Sequence, residues 1–173
     1  MKRATESIVS EARQRLSDDH LAVNEVLQQL LAALHNKNVD VSFAKLDLFW
    51  ARLAVHIRAE HLHLFPAVMN HSGEAQPLIE QLRADHDFFM HELARAIGVL
   101  REPPSDAGLI SVRDTVLAVE ERLITHNEIE ENQIYHWAGT LLTETEQTEL
   151  AARINAELEN RPPRFTVGAW ANK

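Results

Sequence analysis

The chain has 173 residues, 45% of them hydrophobic and 25% charged, which suffices for one domain with its own core. A net charge of −9 argues against a nucleic-acid surface, which needs a basic face, and disfavours an anionic membrane. With no Cys there is no disulfide, thiolate ligand or iron–sulfur cluster. Met1 to Ser10 lacks the apolar core of a secretory signal and no run is long enough to span a bilayer, so a cytoplasmic protein is expected. Ten His beside a single Tyr is the unusual count.

Residues 1–16 read as a lead-in that is helix-compatible but weakly amphipathic. Ser17-Asp18-Asp19 offers cap-type residues before a strong amphipathic run through Leu34, with Val23, Leu27, Leu30, Leu31 and Leu34 at the spacing of one helix face. His20 stands on that face. After the polar turn 36–40, a second helix is predicted over 42–69, carrying Phe43, Leu46, Phe49, Leu53, His56, Ile57, Glu60 and Leu64 on one side. Gly73 and Pro77 mark the next break. A third helix is predicted over 78–100 with His86 among its apolar positions, and a fourth over 109–137 with His126 and Glu130. Thr143-Glu144-Thr145-Glu146 fits a capping box opening a shorter helix to about residue 159. Arg161-Pro162-Pro163 ends it, and Phe165 and Trp170 in the tail are candidates for folding back or meeting a partner. The expected fold is all-α: an up-down-up-down four-helix bundle over 17–139, with an additional short C-terminal helix and tail over 140–173.

Two stretches repeat a motif. His56-Ile57-Arg58-Ala59-Glu60 and His126-Asn127-Glu128-Ile129-Glu130 each put an imidazole and a carboxylate one helical turn apart on one face. Each is preceded by another His in a similar setting, Asp19-His20 and Asp85-His86. Climbing from His20 to the first turn takes about 16 residues and descending to His56 about 15, close in length at ~1.5 Å per residue. The same arithmetic on the second pair brings all four His to one level of the bundle.

An interior holding four His and two Glu needs something to satisfy two negative charges and many lone pairs. Two cations meet that need, with two His per ion and Glu60 and Glu130 shared. His and carboxylate without thiolate suit iron, manganese or zinc alike. About four protein atoms per metal leaves room for a bridging oxygen and an open position.

The pattern over roughly 16–137 resembles the hemerythrin-like, HHE cation-binding family of four-helix bundles with a non-heme di-iron centre. Leu64-Phe65-Pro66 after the first motif is also in that family's style. The resemblance implies two iron ions, oxo- or hydroxo-bridged, with His20, His56, Glu60, His86, His126 and Glu130 as ligands. Oxygen-carrying hemerythrins are similar but have five His, including a His-x-x-x-His pair on the third helix and a His-x-x-x-x-Asp on the fourth. Here Met90 stands four after His86, and His91, five after it, lies about 140° round the helix. The set is more similar to the branch that handles iron, nitric oxide or peroxide. The expected function is a di-iron protein that binds, senses or reacts with a small oxidant in iron homeostasis or stress response, with weak peroxidase-type or nitric-oxide chemistry as the enzymatic form. Its expected partner is a diatomic ligand or peroxide; oligomeric state is left open. Alternatives are a reversible dioxygen carrier, a metal-dependent sensor or interaction module without turnover, and a bundle with structural zinc or no metal.

Other residues carry plainer expectations. His35, His61, His63, His71, His91 and His136 read as solvated or as outer neighbours of the site, and Tyr135 as packing. Of Glu128, Glu130 and Glu131, one faces inward and two form a solvated face. Asp19 and Asp85 read as helix-start residues, with a bond to an imidazole N–H as the other option.

Overall fold

A computed structural model describes residues 2–161, with side chains from residue 11. Helix α1 spans Lys2–His35. The turn after it uses Lys37 at φ 53°, and Asn38 caps helix α2, Val39–Ala59, by accepting from the Val41 amide. A π-helical turn, Glu60–Leu64, continues α2 into α3, Phe65–Met69. A 3₁₀ turn, Gly73–Ala75, leads into α4, Gln76–Leu100. Ser105 caps α5, Asp106–Ile129, through the Gly108 amide. A second π turn, Glu130–Ile134, passes into α6, Tyr135–Leu141, and α7 covers Glu144–Glu159.

α1 packs on α2, α2 on α4, α4 on α5, and α5 back on α1. Their directions follow from the side-chain register. Gln28 bonds Glu120 and Lys37 bonds Asp106, so α5 descends as α1 climbs. Asp19 meets His56 while Lys45 meets Gln29, and Asp85 meets His126 while Arg95 meets Thr115. Each neighbouring pair is antiparallel, the expected up-down-up-down bundle.

The first helix differs from its expected start. Ser17, Asp18 and Asp19 do not open it, because α1 is continuous from Lys2 and places them in mid-helix. Leu16 is 1% exposed, so the stretch before residue 17 carries part of the core. The α7 capping box forms as its residues predict: the Glu146 amide reaches Thr143 Oγ1, and the Thr143 amide reaches Glu146 Oε2 at 2.8 Å. Phe165 and Trp170 lie outside the described residues.

Two apolar clusters fill the interior. One gathers Leu27, Leu30, Leu46, Phe49, Phe89, Leu93, Val112, Val116 and Val119. The other gathers Leu16, Leu64, Phe65, Ile79, Leu82 and Ile134 with Leu150, Ile154 and Leu158 of α7. α7 therefore closes one end of the bundle. On three of the four helices a His marks the passage between the clusters: His20 between Leu16 and Val23, His86 between Leu82 and Phe89, His126 between Leu123 and Ile134. Among the described residues, no helix is long and apolar enough to cross a membrane.

Candidate metal centre

All six side chains predicted from the repeated motif lie in this one layer. His20, His56, Glu60, His86, His126 and Glu130 are buried, and both Glu are fully inaccessible. Their ligand-type atoms form two clusters, His20/His56/Glu60/Glu130 and His86/His126/Glu60/Glu130, each with its atoms within 4.8 Å of one another. Both carboxylates belong to both clusters, the sharing expected for two ions.

Every imidazole turns its Nε2 inward. His56 Nε2 is 3.2 Å from Glu60 Oε1, His20 Nε2 3.3 Å from Glu130 Oε2, and His126 Nε2 3.1 Å from Glu130 Oε1. His86 Nε2 is 3.4 Å from Glu60 Oε2. Outward, each Nδ1 has its own partner: Asp19 Oδ2 at 2.9 Å for His56, Asp85 Oδ2 at 3.1 Å for His126, Glu131 Oε1 at 3.2 Å for His20, and His61 Nε2 at 2.8 Å for His86. An Nδ1–H donated outward leaves a bare lone pair on Nε2, the form a metal takes.

Three residues read as plain from the sequence belong to this outer ring. Asp19 and Asp85 are not helix-start residues; each sits in mid-helix, buried, and orients an imidazole of the neighbouring helix. Glu131 is not simply on a solvated face, since it holds His20, while Glu128 stays exposed. His61 takes the outer-neighbour role. His35, His71, His91 and His136 are exposed, and His63 pairs with Glu157 of α7.

Tyr135 also comes closer than its spacing implied. Its hydroxyl lies 3.4 Å from His20 Nε2 and 3.5 Å from Glu60 Oε1. The π turn is the reason: the Tyr135 amide bonds the Glu130 carbonyl, five residues back, so the wider turn brings residue 135 beneath residue 130. The first motif does the same with Phe65 and Glu60, stacking Phe65 on His86 at 5.9 Å. Such single π turns cluster at functional sites. Nothing in side-chain type announces them.

Glu130 Oε1 and Oε2, Glu60 Oε2 and His56 Nε2 are buried without a hydrogen-bond partner. Orphaned acceptors of this kind are costly, and all four point into the same space. Ionisation meets the cost only in part. Burial, then the Glu130 charge, raises the Glu60 pKa. Burial would raise Glu130 too, but His126 and His20 outweigh it and hold Glu130 well below the usual range. Burial pushes His86 down to about 2, neighbouring imidazoles adding to the effect. Burial would likewise lower His56, yet Glu60 and Asp19 carry it well above its ordinary value. Carboxylate oxygens and imidazole nitrogens converging on one buried space fit a pair of cations that take the place of the imidazole protons.

A family model, the hemerythrin HHE cation binding domain, matches residues 12–138. The chain belongs to this family. The HHE match takes in α1 from residue 12 and the whole of α2, α4 and α5, and it ends within α6, so α7 lies beyond it. No curated protein and no solved structure gives a match.

Proposed function

We propose that the HHE domain holds two iron ions, ligated by His20, His56, Glu60, His86, His126 and Glu130, and that it binds or reacts with a small oxidant such as dioxygen, nitric oxide or peroxide in iron or stress handling. The observation that carries this reading is the sharing of Glu60 and Glu130 between both His pairs. When bound, a pair of iron ions supplies redox chemistry at a position left open by the protein. The chain's own part is to orient four imidazoles through their Nδ1 partners and to exclude water with two apolar clusters. The protein ligand count leaves such a position free. A cavity of about 420 Å³ between α1 and α5 reaches His20 and Glu131 past Asn24, Gln28 and Asn127, ample for a diatomic molecule or peroxide. Elemental analysis and an absorption spectrum of protein from iron-replete cells test the reading. Two iron per chain with charge-transfer bands, both lost in Glu60→Ala and Glu130→Ala, is the expected result. Colourless protein that holds zinc or no metal, even after anaerobic iron loading and re-exposure to air, would overturn it.

A second reading, a metal-dependent interaction module, draws support from the α7 contacts. Arg161 lies 3.8 Å from Asp19, which holds His56, and Glu157 pairs with both Arg58 and His63 beside the first motif. It predicts that metal loading changes the rate of proteolysis beyond residue 140 with little turnover.

A further inference from the structure

The centre is built from two copies of one arrangement related by a pseudo-two-fold. In each copy the Asp before the first His bonds the second His of the same copy, Asp19 to His56 and Asp85 to His126. In each, the residue just after the shared Glu crosses over to the first His of the other copy: His61 to His86 and Glu131 to His20. The residue five after the Glu lies under the layer, Phe65 in one copy and Tyr135 in the other.

The equivalence breaks at both of the last two positions, and both breaks favour the same side. The His20/His56 cluster has two carboxylates behind its imidazoles, Glu131 and Asp19, and the Tyr135 hydroxyl beside it. The His86/His126 cluster has an imidazole, His61, behind one ligand and the Phe65 ring against it. Its single carboxylate, Asp85, is shared with Arg122, whose Nε is 2.6 Å from Asp85 Oδ1. The cation facing Asp19, Arg161, stands farther off at 3.8 Å. A carboxylate accepting from Nδ1–H makes an imidazole a stronger donor through Nε2, and such outer partners are worth about 10–100-fold in metal affinity.

We infer that the two metal positions are unequal, the His20/His56 position binding tightly and the His86/His126 position weakly and exchangeably, with the Glu131/His61 pair setting the difference. This rests on the two-metal reading above but not on iron or on turnover. The test is calorimetric titration of metal-stripped protein with Zn²⁺, with circular dichroism to confirm that each variant folds. Wild type is expected to bind in two steps at least about tenfold apart. His56→Ala should remove the tight step, and His86→Ala the weak one. Glu131→His should weaken the tight step by about tenfold, and His61→Glu should strengthen the weak step by a similar factor. Should either His→Ala variant fail to fold, the Glu131→His and His61→Glu pair decides. Two equal steps in wild type, or a tight step lost in His86→Ala and kept in His56→Ala, overturn the inequality alone. Fewer than two bound ions overturns it together with the two-metal reading.

Discussion

The Nε2 atoms of His86 and His126 face each other 2.9 Å apart, deep in the layer between the two apolar clusters. Asp85 and His61 take the Nδ1 protons, so two bare lone pairs meet unless a proton or cation lies between them. His126 keeps that proton: burial opposes it, but Glu130, Glu60 and Asp85 raise its pKa.

A divalent ion must displace the protons on His126 and His56, so metal uptake is coupled to proton release. Affinity should therefore rise with pH until the raised folded values of His56 and His126, above 6.5, are passed. Calorimetry in two buffers of different ionisation enthalpy counts the protons released. Uptake with no proton release would contradict this ionisation pattern.

Asp19→Asn should leave the bundle folded and weaken metal binding by about 10–100-fold, because His56 loses the charge that fixes its tautomer. Chelator competition on the purified variant measures it. Unchanged affinity would reduce Asp19 to a packing residue.

The metal-free protein should be most stable between weakly acidic and neutral pH. His56 and His126 have raised pKa values, so their contribution is complete below 6.5 and is lost as pH climbs through the folded values. Glu130 is depressed, so its contribution is present above 4.5 and is lost as pH falls. His86, held to about 2, charges only on unfolding and also favours the unfolded chain as pH falls below 6.5. Glu60, raised, opposes His86 just above 4.5 and not below it. Below 4.5 the Glu130 and His86 effects add and the loss of stability steepens. Urea midpoints of stripped protein from pH 3 to 9 check this; a flat profile would refute it.

Phe89 forms one wall of the site, its ring 5.3 Å from that of His126 and fully buried. Phe89→Ala should destabilise the fold by about 3–5 kcal/mol through lost burial and a cavity beside the imidazoles. Equilibrium unfolding reads the loss, and Phe89→Leu should cost less.

Thr143→Ala removes the α7 capping box and should cost about 1 kcal/mol. The loss should be equal with and without metal if α7 only closes the apolar end. A metal-dependent difference in unfolding midpoints would instead favour the interaction-module reading.

Sequence by itself determined the four bundle helices, their turns, the α7 cap and the level at which six ligand-type side chains meet. Those follow from periodicity, caps and residue counts, which are local or additive along the chain. It did not disclose that α1 starts at Lys2, since a cap-type residue such as Asp19 also occurs in a helix interior where another helix gives it work. It offered the imidazole bond of Asp19 and Asp85 only as a second option, did not separate His61 from the other five His outside the ligand set, and did not reveal the roles of Glu131 and Tyr135. Each depends on a contact across helices, and for Tyr135 on a π turn that moves it beneath Glu130. A hydrogen bond to Nδ1 is decided by the rotation of one helix against the next. Only packing of the whole bundle sets that angle.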